Sequence, residues 1–222
     1  MYEVEDYYKS GKLQMKGTYK DLEINYPIGL FTYYYENGNK KQINSFDSNS
    51  KLDGEYTTWH ENGKKETSSN YVNSRPEGIK TIWHENGNKN EIAEYIYTDS
   101  DPDHYYKILQ FWDENNKQTV INGNGFCDLK SKVATFYGTI KDGYKDGFWE
   151  LKYFDRNQSA TERYSDGKFI SGIGTREGDI KYTYDVLEMQ PSPKKGFNDF
   201  YKYIGNHFKF TETARKTTFR VK

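Results

Sequence analysis

His60 and His84 are the side chains whose type and spacing most invite a chemical reading. They occupy equivalent places in two near-identical phrases, Trp59-His60-Glu61-Asn62-Gly63-Lys64-Lys65 and Trp83-His84-Glu85-Asn86-Gly87-Asn88-Lys89. Stacking of equivalent units would bring the two imidazoles near each other, and two imidazoles are half of a tetrahedral zinc site. No third ligand recurs at matching positions, and Tyr35 fills the same slot one copy upstream, so no metal centre is expected. Glu36, Glu61 and Glu85 also repeat, and paired carboxylates can serve hydrolysis. They adjoin chain reversals, however, where exposed acids are ordinary. Asp99-Ser100-Asp101-Pro102-Asp103 has calcium-like spacing without the glycine and terminal glutamate of an EF-hand. Gly167-Lys168 lacks the upstream spacing of a phosphate loop, and no Gly-x-Ser-x-Gly nucleophile turn occurs. Cys127, the lone cysteine, has no Cys or His partner motif around it. The chain reads as a non-enzyme with no catalytic residue, no metal and no cofactor.

What must position these residues is a repeat. The phrase occurs again as Tyr34-Tyr35-Glu36-Asn37-Gly38-Asn39-Lys40, more faintly as Tyr8-Lys9-Ser10-Gly11-Lys12, and as Trp112-Asp113-Glu114-Asn115-Asn116-Lys117 with Asn116 in the glycine place. Copies follow one another at about 24–29 residues, the range of stacked repeat units. An aromatic falls eight residues after the turn glycine at Tyr19, Phe46, Tyr71 and Tyr95, and another glycine nine residues before it at Gly29, Gly54 and Gly78. Between those glycines residues alternate, which predicts strands. One side carries Leu30, Thr32, Tyr34, then Glu55, Thr57, Trp59, then Ile79, Thr81, Trp83. The other carries Phe31, Tyr33, Tyr35, then Tyr56, Thr58, His60, then Lys80, Ile82, His84.

Each unit is thus a two-stranded hairpin, with Asn37-Gly38, Asn62-Gly63 and Asn86-Gly87 read as type I′ tips in which both residues take positive φ. Stacking gives a mainly β protein, an elongated antiparallel β-hairpin array whose stability accumulates along its length. Tyr34, Trp59, Trp83 and Trp112 form the expected structural aromatic column and are read as its core. Tyr33, Tyr35, Tyr56, His60 and His84 form the opposite, candidate interaction face. Tyr-rich faces suit protein interfaces. A covering layer or the sheet's own curl is an equal alternative, and sugar stacking has only the rings in its favour.

Composition narrows the partners. With 32 Lys plus Arg against 33 Asp plus Glu, the formal charge of −1 disfavours nucleic acid and a polybasic grip on lipid. The 22 Tyr and 13 Phe point to a core of rings and against disorder. No apolar run approaches the roughly 20 residues of a membrane span, so direct insertion is not expected. Met1-Tyr2-Glu3-Val4-Glu5-Asp6 lacks the regions of a signal peptide. If Met1 is the native start, the compartment is cytoplasmic. If the chain is a piece excised from something longer, it is the periplasm or cell envelope.

Past the early copies, Tyr97–Tyr106 reads as an enlarged loop, Ile108–Gly125 as a further unit, Tyr137–Glu150 as a restart and Tyr164–Gly172 as a last hairpin. Gly-x-aromatic strands followed by Tyr-x-Glu-Asn-Gly-x-x tips resemble the MORN-repeat variant of bacterial proteins, including the YwqK-type antitoxin family, over about residues 5–174. That resemblance implies a hairpin array with binding roles and no shared chemistry. Composition shifts after Asp179, dividing repeats at 1–179 from a small α+β segment at 180–222. There Lys181–Glu188 predicts a strand, Pro191–Gly196 a break, and Phe200, Tyr203, Ile204 and Phe208 a helix capped by Asn198. With Tyr182-Thr183-Tyr184, Gln190-Pro191-Ser192-Pro193 and Ala214-Arg215-Lys216, this segment resembles the first half of a TonB C-terminal domain. Phe210-Thr211 stands in place of the family's Tyr-Pro, and the glycine before its second strand is missing.

The reading that follows is a non-catalytic protein-binding scaffold, of a bacterial envelope protein related to TonB-type transducers. The alternative is an antitoxin or immunity protein that neutralises a cognate toxin. Neither the partner's identity nor the oligomeric state follows from the residues.

Overall fold

The computed structural model describes residues 1–96, 106–130, 133–154, 158–176 and 180–185. The first hairpins pair β1 (Tyr2–Tyr7) with β2 (Leu13–Tyr19), β3 (Pro27–Tyr34) with β4 (Lys40–Phe46), β5 (Leu52–Trp59) with β6 (Lys65–Val72), and β7 (Arg75–Trp83) with β8 (Lys89–Tyr95). Then come β9 (Tyr106–Trp112), β10 (Gln118–Ile121), β11 (Asn124–Lys130) and β12 (Ala134–Lys141). The series ends with β13 (Tyr144–Tyr153), β14 (Ser159–Ser165), β15 (Lys168–Arg176) and β16 (Ile180–Tyr184). Every strand pairs antiparallel with its sequence neighbour in one 16-stranded sheet, and no helix occurs among the described residues. The expected β-hairpin array is what the chain forms. β16, assigned from sequence to the C-terminal segment, hydrogen-bonds to β15 with Gly172 opposite Tyr184. The loop at 97–105, the Pro191–Gly196 break and the helix from Phe197 lie outside the described residues.

The tips differ from expectation in their turn chemistry. At Asn37-Gly38 the Gly38 N–H donates to the Tyr35 carbonyl at 2.9 Å, and the Tyr35 N–H donates to the Asn39 carbonyl at 2.8 Å. Gly38 takes φ +91°, while Asn37 is not among the positive-φ residues. This is a three-residue loop, a type I turn followed by a left-handed bulge residue, and it recurs at 60–64 and 84–88. The asparagine's part is different from the one read in the sequence. Its Oδ1 accepts the N–H two residues on, at 2.9 Å for Asn37, 3.0 Å for Asn62 and 2.8 Å for Asn86. Two-residue links with positive φ at both positions do occur elsewhere, at Asn73-Ser74, Asn122-Gly123, Asp142-Gly143 and Asp166-Gly167.

The glycines nine residues upstream of the tips make bulges. Gly29, Gly54 and Gly78 take φ +68°, +102° and +68°, and the register slips beside each where one hairpin meets the previous one. Gly147, at φ +71°, repeats the device in β13. A bulge bends its strand and increases local twist, so bulges repeated at these glycines curl the sheet.

That curl decides which face is inside. The sequence reading put the core on the Tyr34–Trp59–Trp83 side, and the structure puts most fully buried side chains on the other. Phe31 is 1% exposed, whereas its neighbour Leu30 is 57% exposed. Tyr34, Trp59, Trp83 and Trp112 are half-buried. Around Phe31 the rings of Tyr19 and Phe46 meet edge-on at 5.1 and 5.3 Å, and Tyr56–Tyr71 and Tyr95–Tyr106 continue the series at 5.3 and 5.2 Å. The same face of the second half holds the main apolar cluster of Ile108, Phe111, Val120, Cys127, Ile140, Trp149, Leu151 and Tyr164. Gly138 lies under Trp149 so closely that an added Cβ would stand 2.5 Å from the ring. Gly17 under Phe31 and Gly172 under Tyr184 repeat this arrangement.

Candidate binding cleft

The repeat builds a ladder of side-chain donors along the tip end of the sheet. The slot that holds Tyr8, Tyr35, His60 and His84 faces the carbonyl of the aromatic in the following unit. Tyr8 Oη donates to the Tyr34 carbonyl and Tyr35 Oη to the Trp59 carbonyl, both at 2.7 Å. His60 Nε2 meets the Trp83 carbonyl at 3.1 Å, the place of a donor, and His84 Nε2 lies 3.2 Å from the Trp112 carbonyl and 3.1 Å from Asn90 Nδ2. Below them the Asn37 Nδ2 donates to the Glu61 carbonyl and the Asn62 Nδ2 to the Glu85 carbonyl, each at 2.8 Å. The two histidines therefore belong to the structural repeat.

The aromatic column has its own periodic partner. Lys40 Nζ sits 5.8 Å from the Trp59 ring centroid, Lys65 5.8 Å from Trp83 and Lys89 5.7 Å from Trp112. Each lysine comes from the strand that leaves one tip and reaches the ring that enters the next. Such a pair contributes about 0.5–1 kcal/mol at an exposed site.

Where β5–β11 curl, the tip end opens a cleft of about 380 Å³. Its walls include His60, His84 and Asn90, the rings of Trp83 and Phe111, and the acids Glu66, Glu85, Asp113, Glu114 and Asp128. The cleft brings together two residues of the expected interaction face, His60 and His84. Tyr33, Tyr35 and Tyr56 lie outside it, half-buried, and burial pushes all three phenols up. Among the described residues of the lining, Lys130 pairs with Glu114 at 3.4 Å. Asp113 Oδ1 is occupied by the N–H groups of Asn115 and Lys117. The carboxylates of Glu66, Glu85 and Asp128 carry no hydrogen bond or ion pair among the described residues.

The sequence does not single out these acids as neighbours, because Glu66 lies in β6, Asp128 in β11, and Asp113 and Glu114 in the tip between β9 and β10. Only the register of β6 against β7 and the curl toward β11 bring them to one wall. Among the described residues, no group of three or more His, Cys, Asp or Glu stands close enough to hold a metal ion. Deeper in the sheet, Glu162 accepts from Tyr164 and Tyr184 at 2.7 and 2.8 Å, and Lys145 lies 4.6 Å from the Trp149 ring. These buried polar groups partner one another.

Fold and site define a β-hairpin repeat array with a concavity at its tip end. Residues 3–21, 27–48 and 52–73 match the family model of the MORN repeat variant, each match covering one hairpin from β1 to β6. The same tip geometry continues beyond them at 84–88 and, with Asn116 at φ +62°, at 113–117. MORN repeats are in general protein- or membrane-binding repeats and a non-enzymatic family. No curated protein matches the chain. No helix among the described residues is long and apolar enough to cross a membrane.

Proposed function

We propose that the chain is a non-catalytic scaffold that binds a protein partner through the cleft at its tip end. The observation that carries this reading is the set of free carboxylates, Glu66, Glu85 and Asp128, around the Trp83 and Phe111 rings in one concavity. Unpaired acids gathered on one wall favour a partner segment bearing Lys or Arg, by charge attraction. A nearly neutral chain with one local acidic wall steers such a segment to a place rather than to the whole surface. The test is capture from the native lysate by the full chain, compared with a Glu66→Gln/Glu85→Gln/Asp128→Asn variant. A partner retained by the first and lost by the second supports the cleft, and equal capture by both refutes it.

The finer reading is an envelope protein related to TonB-type transducers, resting on the resemblance of the 180–222 segment. The alternative, neutralisation of a toxin, rests on the YwqK-type resemblance of the repeats. A toxin gene beside this one would favour the second, and a receptor or transport locus the first.

A further inference from the structure

We propose that Asn86-Gly87 is the chain's preferred site of spontaneous isoaspartyl formation, because its carboxamide lacks the tether that holds the equivalent asparagines. In this reaction the backbone nitrogen of Gly87 attacks Cγ of Asn86. The new C–N bond closes a five-membered succinimide, the Gly87 amide proton is lost, and Nδ2 departs as ammonia. Water then opens the ring at either carbonyl, leaving an aspartyl or an isoaspartyl linkage. Glycine favours the attack because no Cβ shields its nitrogen.

The repeat supplies its own control. Asn37, Asn62 and Asn86 all stand in Glu-Asn-Gly, and their glycines take φ of +91°, +86° and +89°. The three glycine N–H groups donate back across the turn at 2.9, 2.9 and 2.8 Å, so the nucleophile is held alike in each. The departing amide is not. Asn37 Nδ2 and Asn62 Nδ2 are each bound at 2.8 Å to a carbonyl of the next tip, and the carboxamide cannot swing its Cγ toward the glycine without breaking that bond. Asn86 keeps the Oδ1 contact to the Asn88 N–H, but its Nδ2 has no partner among the described residues. The next tip, at Asp113–Lys117, comes after a longer interval in the sequence, and the ladder of amide tethers does not extend to it.

The other Asn-Gly pairs are held in different ways. Gly123 is buried where Gly87 is exposed, and its N–H donates at 2.8 Å to the Leu109 carbonyl outside its own turn, so attack at Asn122 would require the packed sheet to open. Asn124 is held at both ends, Oδ1 accepting from the Asp142 N–H and Nδ2 donating to the Asn122 carbonyl, each at 3.1 Å. Asn86 is exposed and adjoins Glu85 and His84 on the cleft wall, so conversion adds a negative charge at that rim. An isoaspartyl link also adds a methylene to the turn backbone. The inference stands whatever the cleft binds.

The full chain is incubated at mildly alkaline pH, folded and in urea, and sampled over time. Each Asn-Gly peptide is then scored for amide-to-acid conversion by mass spectrometry, and for isoaspartate by enzymatic methyl transfer from S-adenosylmethionine. In the folded chain Asn86 should convert several-fold faster than Asn37 and Asn62. In urea, with the tethers gone and the local sequences alike, the three rates should converge. Equal rates in the folded chain, a lead by Asn37 or Asn62, or no conversion at Asn86 while the denatured chain converts, would each overturn the proposal.

Discussion

Tyr35 donates its phenolic hydrogen to the backbone carbonyl of Trp59 at 2.7 Å, tying one hairpin to the next. The same slot is filled by His60 one unit on, where Nε2 reaches the Trp83 carbonyl at 3.1 Å. Two different side chains do one job because the geometry asks only for a donor about a ring's length from the backbone. The carbonyl so served belongs to a half-buried aromatic at the register shift of its hairpin.

Exchange within the slot should follow from that. His60→Tyr keeps a donor and should change stability by less than about 1 kcal/mol, whereas His60→Leu strands the Trp83 carbonyl at a cost of about 1–3 kcal/mol. Urea melts of the two variants check this, and a leucine variant as stable as the tyrosine one would remove the ladder from the account.

The reversed faces give a second contrast. Phe31→Ala and Trp149→Ala delete rings that are 1% and 0% exposed and should cost about 3–5 kcal/mol each. Trp59→Ala removes a half-buried ring under Lys40 and should cost less, roughly 1–2 kcal/mol. A lower denaturant midpoint for Trp59→Ala than for Phe31→Ala would contradict the placement of the core.

A third expectation concerns Gly138. An added methyl would stand 2.5 Å from the Trp149 ring, in a strand interior where neither backbone can move aside cheaply. Gly138→Ala should lower stability by about 1–3 kcal/mol through overpacking, read by thermal or urea unfolding. Gly29, whose added Cβ would meet nothing within 4 Å but whose φ is +68°, should instead respond to alanine through backbone strain, at about 1 kcal/mol.

At position 116 the αL conformation is carried by asparagine, φ +62°, where the other tips use glycine. Asn116→Gly should be neutral or stabilising within about 1 kcal/mol, and Asn116→Ala destabilising by about the same amount. Equal effects of the two substitutions on the melting midpoint would count against the turn geometry.

Glu91 supplies the pH dependence. Burial pushes its carboxyl above the ordinary 4.5, with the Tyr106 hydroxyl and Lys80 opposing that shift. Between 4.5 and the raised folded value, the folded chain holds a proton that the unfolded chain has released. Stability from this group is therefore full below the unfolded value and declines as pH rises through the folded one. Glu91→Gln keeps an acceptor for Tyr106 and should flatten that decline, measured as unfolding free energy against pH. An unchanged slope would show that Glu91 does not set it.

Much of the array was legible because its signals are local. The positions of the tips follow from Asn-Gly at a regular interval, and the strands from period-two alternation between Gly29 and Gly38, Gly54 and Gly63, Gly78 and Gly87. The turn type was misread at those tips because Asn-Gly suits both a two-residue link and a bulged three-residue one. What separates them is the cross-strand register, with Tyr34 opposite Lys40 in place of Lys41. Glu66 and Asp128 were not legible as neighbours at all, since 62 residues separate them and only the curled sheet brings them to one wall.

By itself the sequence determined that this chain is a series of two-stranded units, where each one reverses, and which residues share a side of each strand. These are properties of a few consecutive residues, set by sterics and backbone hydrogen bonding within the unit. Only the tertiary structure decided which side is the interior and where a cleft opens. Alternation distinguishes two faces without ranking them, and the ranking comes from the bend that bulges at Gly29, Gly54, Gly78 and Gly147 add along the sheet.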